Sequence, residues 1–120
     1  MPVQPKKLLE RIPFPASLTD GRNRFVAINS AHENLYGRKE EELTGQSPTR
    51  LVAKSVKKAR LQEILTSSGK EGWHGSIMNV DRRGREFEVV LHTRPVWLGN
   101  RKLKLGVACR AGEEEALIRS

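Results

Sequence analysis

The sequence predicts an α+β fold in which several short helices cover one face of a single antiparallel sheet. Three observations lead to this fold class. Two strand-like segments open the chain, helical patterns fill its middle, and three more strand-like segments joined by turn signals close it. A length of 120 residues is enough for one domain with its own core, and the single cysteine excludes an internal disulfide.

The N-terminus is predicted to be a helical extension over residues 1–12. Leu8, Leu9 and Ile12 recur at a spacing that puts them on one face of a short helix. Pro13 ends the helix, because a proline inside a helix removes a hydrogen bond and clashes with the preceding turn. We expect the apolar face of this helix to pack on another element of the fold.

A hairpin is predicted next. Its strands cover 14–19 and 24–28, and Asp20-Gly21-Arg22-Asn23 between them carries the Asp-Gly signal of a hairpin turn. The second strand is rich in aromatic and β-branched residues, which favour a strand over a helix. The first third of the chain is therefore expected to supply two neighbouring strands of the sheet.

Helical patterns fill the middle of the chain. A first helix is predicted over 31–36, where Asn29 or Ser30 can accept hydrogen bonds from the first N–H groups of the helix. A second short helix is predicted over 38–43. The third is predicted over 52–65, because its apolar residues recur at helical spacing.

The last third of the chain predicts strands joined by turns. They cover 73–80, 86–96 and 102–110, and in the last two segments alternate residues are apolar, as in a strand with one buried face. Residues 113–120 open with a run of glutamates and are predicted to start a connecting helix, because acidic side chains stabilise a helix N-terminus.

The charge of the chain is strongly positive. Twenty-two lysines and arginines against 14 acidic residues give +8 and an isoelectric point near 10.2, which makes a basic nucleic-acid-associated regulatory domain one alternative function. However, the basic residues form several separate clusters, and aromatic residues, which stack on single-stranded bases, make up only 5%. We therefore favour a solvated basic surface and expect no nucleic-acid partner.

Several other function classes find no support in the sequence. There is no Ser-His-Asp pattern, no set of metal ligands and no phosphate-binding loop, so we expect no enzyme, no catalytic residue and no metal site. No apolar run approaches the roughly 20 residues of a membrane span. The N-terminus also lacks the apolar segment of a secretory signal, so we expect a cytoplasmic protein without a membrane partner.

Short segments in a fixed order resemble a known family. The segments are Leu18-Thr19-Asp20-Gly21, Phe25-Val26-Ala27-Ile28-Asn29-Ser30-Ala31, Leu35-Tyr36-Gly37, Glu41-Glu42-Leu43-Thr44-Gly45-Gln46-Ser47-Pro48, Gly72-Trp73-His74-Gly75-Ser76-Ile77-Met78-Asn79, Arg82-Arg83-Gly84-Arg85-Glu86-Phe87, Arg94-Pro95-Val96 and Leu105-Gly106-Val107. Together they resemble the PAS domain, the sensory-box family. The resemblance implies a PAS domain over 13–112, with a five-stranded antiparallel sheet, several short helices over one face and often a small enclosed cavity.

The resemblance also implies a function. PAS domains are sensory and dimerisation modules of signal-transduction or transcription-regulating proteins, and relatives join them to histidine kinases, cyclic-di-nucleotide enzymes or DNA-binding domains. We expect a homodimer that senses a small ligand or a partner protein by a shift between conformational populations. One departure lies at the end of the last strand. There Arg110-Ala111-Gly112 replaces an Asp-Ile-Thr-like signature that commonly couples the core to the next helix.

The sequence leaves the cofactor open. An FAD-binding redox sensor is the first alternative, because the segment 72–79 is similar to the strand that lines the flavin ring in flavin-binding redox sensors. Against it, Val89 and Ala108 stand where light sensors use amides. The candidate cofactor-binding residues that the resemblance implies are Asn29, Trp73, Ile77, Asn79, Val89, Leu91 and Ala108.

Flavin photochemistry and haem are weaker candidates. Light-sensing relatives need a reactive cysteine on the helix beside the flavin, whereas Cys109 lies in the last predicted strand. His32, His74 and His92 are the possible axial ligands of a haem iron. No partner residue that would orient such a ligand marks any of the three histidines.

An apolar stripe on the predicted sheet indicates where a second copy of the chain binds. If Ala108 points into the cavity, as the resemblance implies, strand alternation turns Leu103, Leu105 and Val107 to the outer face. The alternative is a facing shifted by one residue, which puts this stripe in the core. The N-terminal extension can cover the stripe within one chain or across a two-fold axis. The candidate dimer interface is Leu8, Leu9, Ile12, Val90, Leu103, Leu105 and Val107.

Overall fold

A computed structural model describes residues 4–68 and 72–113, which form one sheet with helices packed on it. The helix predicted within residues 1–12 is present as α1, whereas the helix predicted for the C-terminus lies outside the described residues from position 114 on. The elements in chain order are α1 (Pro5–Glu10), β1 (Ala16–Thr19), β2 (Phe25–Ile28), α2 (Ser30–Tyr36), α3 (Glu40–Leu43), a 3-10 turn (Pro48–Leu51), α4 (Lys58–Ser68), β3 (Trp73–Val80), β4 (Glu86–Leu98) and β5 (Arg101–Arg110).

The strands form one five-stranded antiparallel sheet in the order β2-β1-β5-β4-β3. The first and last strands of the chain are neighbours at the centre of the sheet, with Leu18 of β1 opposite Leu105 of β5. The helices between β2 and β3 carry the chain from one edge of the sheet to the other. This arrangement confirms the predicted fold class, an α+β fold with short helices over a five-stranded antiparallel sheet.

Helices α2, α3 and α4 lie over one face of the sheet, which we call the inner face. Tyr36 of α2 and Leu43 of α3 pack in one buried cluster with Phe25, and Ile64 of α4 packs in a second cluster with Val89. Burial of these apolar side chains holds the helical layer on the sheet. No helix in the described part of the chain is long and apolar enough to cross a membrane.

The third predicted helix begins later than the sequence pattern indicated. The pattern predicted a helix over 52–65, but α4 begins at Lys58. Val52 instead forms a β-bridge with Asn79, and the backbone N–H of Ala53 donates to the carbonyl of Met78 at 3.0 Å. Pairing with the edge strand β3 takes the backbone groups that a helix would use, although Val52 still packs against the second cluster.

Helix α1 packs on the opposite face of the sheet, which we call the outer face. Leu9 of α1 is buried there in one cluster with Leu18, Ala27 and Leu103. The helix lies over the β1 and β2 side of the sheet. The outer face of β3 and of the neighbouring part of β4 is left open, and exposed side chains such as His92 stand on it.

Polar contacts fasten α1 to the corner where β2 meets α2. Lys6 Nζ donates to the carbonyl of Ile28 at 3.1 Å and pairs with Glu40 Oε2 at 3.2 Å. The same carboxylate accepts the backbone N–H of Ile28 at 3.0 Å. At the other end of α1, Glu10 Oε1 accepts the backbone N–H of Ser30, the first residue of α2, at 2.7 Å.

Candidate functional site

A cavity of about 90 Å³ lies between the helical layer and the inner face of the sheet. Its walls are mostly apolar, with aliphatic side chains from α4 and from β3 and β4. All five strands contribute lining residues from the inner face of the sheet, since alternate residues along a strand share a face. The side chains that line it from the sheet and the two principal helices are Ser17, Thr19, Phe25, His32, Tyr36, Leu61, Ile64, Leu65, Ile77, Asn79, Leu91, Thr93, Lys104 and Ala108.

Four of the predicted cofactor-binding residues line this cavity: Ile77, Asn79, Leu91 and Ala108. They come from three neighbouring strands, and the pairing of Leu91 with Ala108 puts these two side by side. The cavity therefore brings together predicted residues from β3, β4 and β5.

Val89 and Trp73, also predicted to contact a cofactor, lie beside the cavity and not in its wall. Val89 is fully buried in the cluster that contains Ile64 and Ile77, and Trp73 packs against the same cluster. The guanidinium of Arg60 on α4 lies 5.9 Å from the centre of the Trp73 ring. Both residues therefore flank the cavity on the inner face of the sheet.

The structure corrects the prediction that Asn29 contacts a cofactor. Its Oδ1 accepts the backbone N–H groups of Ala16 and His32, each at 3.0 Å. Its Nδ2 donates to the carbonyls of Leu9, Ile12 and Phe14 at 3.0, 3.2 and 2.8 Å. With both ends of the amide engaged and the side chain buried, Asn29 caps α2, as predicted, and joins it to α1 and β1.

An aromatic row forms the α2 side of the cavity. The ring centres of Phe25 and His32 are 5.7 Å apart, those of His32 and Tyr36 are 4.7 Å apart, and those of Tyr36 and Phe87 are 5.8 Å apart. At the end of the row the guanidinium of Arg110 lies 4.5 Å from the centre of the Phe87 ring. These spacings are typical of favourable aromatic and cation–π pairs.

Tyr36 and Asn79 bridge the cavity wall between α2 and β3. The Tyr36 hydroxyl donates to Asn79 Oδ1 at 2.5 Å. Burial raises the pKa of Tyr36, and the nearby Arg110 opposes this shift only in part, so the hydroxyl stays protonated and remains a donor. The amide oxygen of Asn79 thus has a partner within the protein.

His32 lies on the cavity wall as a neutral ring. Burial lowers its pKa to about 4, because a charged imidazole is poorly solvated there. Its Nδ1 is buried and has no hydrogen-bond partner among the described residues. Among the described residues, this atom is one of two buried polar side-chain atoms on the cavity wall that have no hydrogen-bond partner.

The second unpaired atom belongs to the polar end of the cavity, formed by Thr19, Asn23 and Lys104. Thr19 Oγ1 is buried and has no hydrogen-bond partner in the described structure. Lys104 Nζ donates to Asn23 Oδ1 at 3.0 Å, and burial lowers the pKa of this lysine. Lys104 stands directly opposite Thr19 in the pairing of β5 with β1.

The sequence carries one signal for this polar end. Alternation along β5 puts Lys104 on the same face as Ala108, a residue that the family resemblance predicts to line the cavity. However, a lysine in a strand is usually exposed to solvent, so the residue type alone does not predict that Lys104 lines the cavity. Thr19 belongs to the segment Leu18-Thr19-Asp20-Gly21 that resembles the family, but nothing local in the sequence indicates that its hydroxyl will be buried.

The other two histidines and the cysteine lie away from the cavity. His74 and His92 are exposed cross-strand neighbours whose rings stack at 5.4 Å on the outer face. Cys109 is buried and is paired with Val90 across β5 and β4. It follows the cavity residue Ala108 and therefore lies on the opposite face of β5. Neither His74 nor His92 can reach a cavity ligand, and Cys109 does not lie on a helix beside the cavity.

The size of the cavity limits which cofactors it takes. Sites for drug-sized ligands have volumes of roughly 300–1,000 Å³, whereas this cavity has about 90 Å³. A flavin ring system or a haem does not fit between α4 and the sheet in this conformation. Binding of either would require α4 to move away from β3 and β4.

The residues predicted to form the dimer interface differ in how far they are buried within one chain. Leu9 and Leu103 are buried by the packing of α1 within one chain, and Ile12, Leu105 and Val107 are partly buried against the same cluster. Val90 is also partly buried. Leu8 is 37% exposed on α1.

The sequence matches the family model described as PAS domain over residues 13–109, which is more than half of the chain. No curated protein matches it.

Solved structures share the fold. A PAS domain of a protein from Colwellia psychrerythraea is similar with a TM-score of 0.74 and 20% identity, covering 87% of this chain and 91% of that one. The Rhodobacter sphaeroides LOV protein gives a TM-score of 0.78 at 17% identity and covers 93% and 69%. A PAS domain from a two-component sensor histidine kinase gives 0.71 at 12% identity and covers 87% and 90%.

Proposed function

The chain belongs to the PAS domain family, and from this premise we propose that it is a sensory module that binds a small ligand in its cavity. One observation carries the proposal. Thr19 Oγ1 and His32 Nδ1, both buried at the cavity, have no hydrogen-bond partner among the described residues. A buried polar atom without a partner costs about 1–3 kcal/mol. A ligand that supplies partners would offset this cost.

The proposed signal is a shift between conformational populations. Ligand binding favours whichever arrangement of α4 on the sheet makes the better contacts with the ligand. Helix α4 is anchored by the buried Ile64 and by Arg60, whose Nη2 donates to the carbonyl of Ser76 at 3.1 Å. Because Ala108 faces the cavity and Val107 faces outward, a change at the cavity reaches the outer face of β5 directly.

We also propose that the outer face binds a second copy of the chain. Leu105 and Val107 carry the apolar stripe towards the side of the sheet that α1 leaves open. A two-fold dimer that buries this side would bring the β4 and β5 strands of both copies together.

In this proposal the domain is cytoplasmic and has a regulatory role without a catalytic step. The signal passes to an effector domain or partner protein, such as a kinase, a cyclic-di-nucleotide enzyme or a DNA-binding domain.

A thermal-shift screen with a metabolite library tests the ligand role. Ala108→Leu fills the cavity from β5, and Ala59→Leu adds the same side chain at an exposed position of α4 as the matched control. We expect compounds that raise the Tm of the wild-type and Ala59→Leu proteins and not that of Ala108→Leu. Compounds that stabilise all three proteins equally, or no compound at all, would contradict ligand binding in the cavity.

An FAD-binding redox sensor is the second candidate function. The similarity to the Rhodobacter sphaeroides LOV protein, and to a structure that concerns a flavin analogue in a Light-Oxygen-Voltage domain, favours it. An absorption spectrum of freshly purified protein from 300 to 700 nm distinguishes the candidates. A band near ~450 nm that persists after gel filtration indicates a bound flavin, and a flat spectrum before and after reconstitution with FAD excludes it.

A further inference from the structure

The polar end of the cavity carries a positive charge without a matching acid. Lys104 lines the cavity from β5, and its Nζ donates to the neutral Asn23 Oδ1 at 3.0 Å. Among residues 4–68 and 72–113, no carboxylate forms an ion pair with Lys104. Lys104 is half-buried and its one printed partner is a neutral amide oxygen, so its charge is not compensated and this end of the cavity favours an anion.

The neighbouring Thr19 supplies a second donor. Thr19 and Lys104 are directly paired across β1 and β5, so their Cβ atoms stand about 5 Å apart on the same face. The Thr19 hydroxyl is buried without a partner. A carboxylate has two oxygens that accept hydrogen bonds. One of them can accept from the ammonium group and the other from the hydroxyl.

The rest of the cavity is suited to hydrocarbon. Ile64, Ile77 and Leu91 line it from α4, β3 and β4. An apolar cavity of about 150 Å³ can hold benzene, and this one has about 90 Å³. The volume therefore limits the apolar part of a ligand to a short alkyl chain.

We propose that the cavity binds a short-chain monocarboxylate, with its carboxylate between Lys104 Nζ and Thr19 Oγ1 and its alkyl chain among Ile64, Ile77 and Leu91. This inference rests on the proposed ligand-sensing function and names the chemical class of the ligand. A multiply charged anion fits less well, because one ammonium group would face more than one negative charge among apolar walls. A neutral alcohol or amide would leave the ammonium group of Lys104 without a counter-charge.

Isothermal titration calorimetry with butyrate and butyramide tests the inference. The two probes have nearly the same size and shape, but only butyrate is an anion. We expect butyrate to bind the full chain with a Kd in the range of about a millimolar or below, as ligand-efficiency limits allow for six heavy atoms. Butyramide is expected to bind at least about tenfold more weakly, because its neutral carbonyl accepts a hydrogen bond from Lys104 but forms no ion pair with the ammonium group.

Substitutions at the polar end make the test specific. Lys104→Met keeps most of the side-chain volume and removes the charge, and it is expected to weaken butyrate binding about tenfold to hundredfold. Thr19→Val removes only the hydroxyl and is expected to weaken binding by a smaller factor. Lys102→Met is the matched control, because Lys102 lies on the same strand and the same side but is exposed.

Three outcomes would overturn the inference. Equal binding of butyrate and butyramide would show a cavity that takes small molecules without regard to charge, and the proposed sensory function would stand alone. Butyrate binding that Lys104→Met leaves unchanged would place the anion elsewhere. No butyrate binding at all would remove the carboxylate class, and the metabolite screen with Ala108→Leu would then decide separately whether the cavity binds any ligand.

Discussion

The hydroxyl of Tyr36 donates a hydrogen bond of 2.5 Å to Oδ1 of Asn79 and so connects α2 to β3 over the wall of the cavity. Both side chains are buried, and Asn79 also takes part in the β-bridge with Val52. One residue of β3 therefore holds two separate parts of the layer that covers the sheet. The position of this layer, and with it the shape of the cavity, depends on this contact.

Removal of the Tyr36 hydroxyl tests the importance of this contact. Tyr36→Phe leaves a buried amide oxygen without its partner, and we expect the free energy of unfolding to fall by about 1–3 kcal/mol. Urea denaturation followed by circular dichroism measures the change, with the m value unaltered. Thr44→Val is the control, because the Thr44 hydroxyl donates to the carbonyl of Glu40 at an exposed site. A loss no larger than that of the control would contradict the prediction.

Asn29 is expected to be one of the most sensitive positions of the chain. Asn29→Ala removes five hydrogen bonds to buried or partly buried backbone groups, and we expect a loss of more than about 3 kcal/mol, as for other broken buried networks. Hydrogen exchange should also become faster in α1, because Asn29 holds the carbonyls of Leu9 and Ile12. Asn34→Ala, at an exposed position of α2, is the control and should change stability little. A loss below about 1 kcal/mol for Asn29→Ala would refute this role.

His32 predicts how stability depends on pH. Its pKa is lowered to about 4 in the folded protein from an ordinary value of 6.5, so between these values the unfolded chain binds a proton that the folded protein does not. The stabilisation by neutral His32 is therefore complete above pH 6.5 and is lost as pH falls towards 4. From pH 7 to pH 5 this group should remove about 2 kcal/mol of stability.

The comparison variant for this prediction is His32→Phe, which keeps an aromatic ring between Phe25 and Tyr36 but does not titrate. Urea denaturation of both proteins at pH 7 and pH 5 isolates the histidine, since other titrating groups are shared. We expect the variant to lose less stability than the wild type over this interval. Parallel losses in the two proteins would show that His32 is not buried as a neutral group.

Leu105→Glu tests the proposed dimer. A charge in the apolar stripe of the outer face should weaken association, because it would be buried without a partner. Light scattering after gel filtration measures the mass, and circular dichroism checks that the variant is folded. Lys102→Glu makes a similar change at an exposed position that faces the other way. A folded Leu105→Glu variant with an unchanged dimer mass would rule out this interface.

Local patterns were enough to predict most elements of the fold. The sequence predicted β3 with its exact bounds, alternation located β5 to within one residue, and Asn29 was one of the two residues predicted to cap α2. The apolar stripe that begins at Val52 predicted the start of α4 too early, because the same side chains pack equally well from an extended segment. Only the pairing of Val52 and Ala53 with β3 decides between the two, and this contact lies far away in the sequence.

The cavity could be predicted only in part, for a similar reason. Ile77 and Leu91 follow from strand alternation together with the family resemblance. The polar end depends on how β1 pairs with β5, which brings Thr19 beside Lys104 from opposite ends of the chain. Asn29 resembled a ligand-binding residue in sequence because the same amide chemistry serves a cofactor and a helix cap. The hydrogen-bond partners distinguish the two roles.

Arg110 connects the aromatic row to the point where the chain leaves the sheet. Its guanidinium lies over Phe87, which is in contact with Tyr36, and Arg110 is the last residue of β5. A ligand that repositions Tyr36 would therefore change the free energy of holding Arg110 in place. Such a linkage is reciprocal. A partner protein that binds and holds Arg110 would alter the affinity of the cavity for its ligand by the same factor, so the output of the domain would also tune its input.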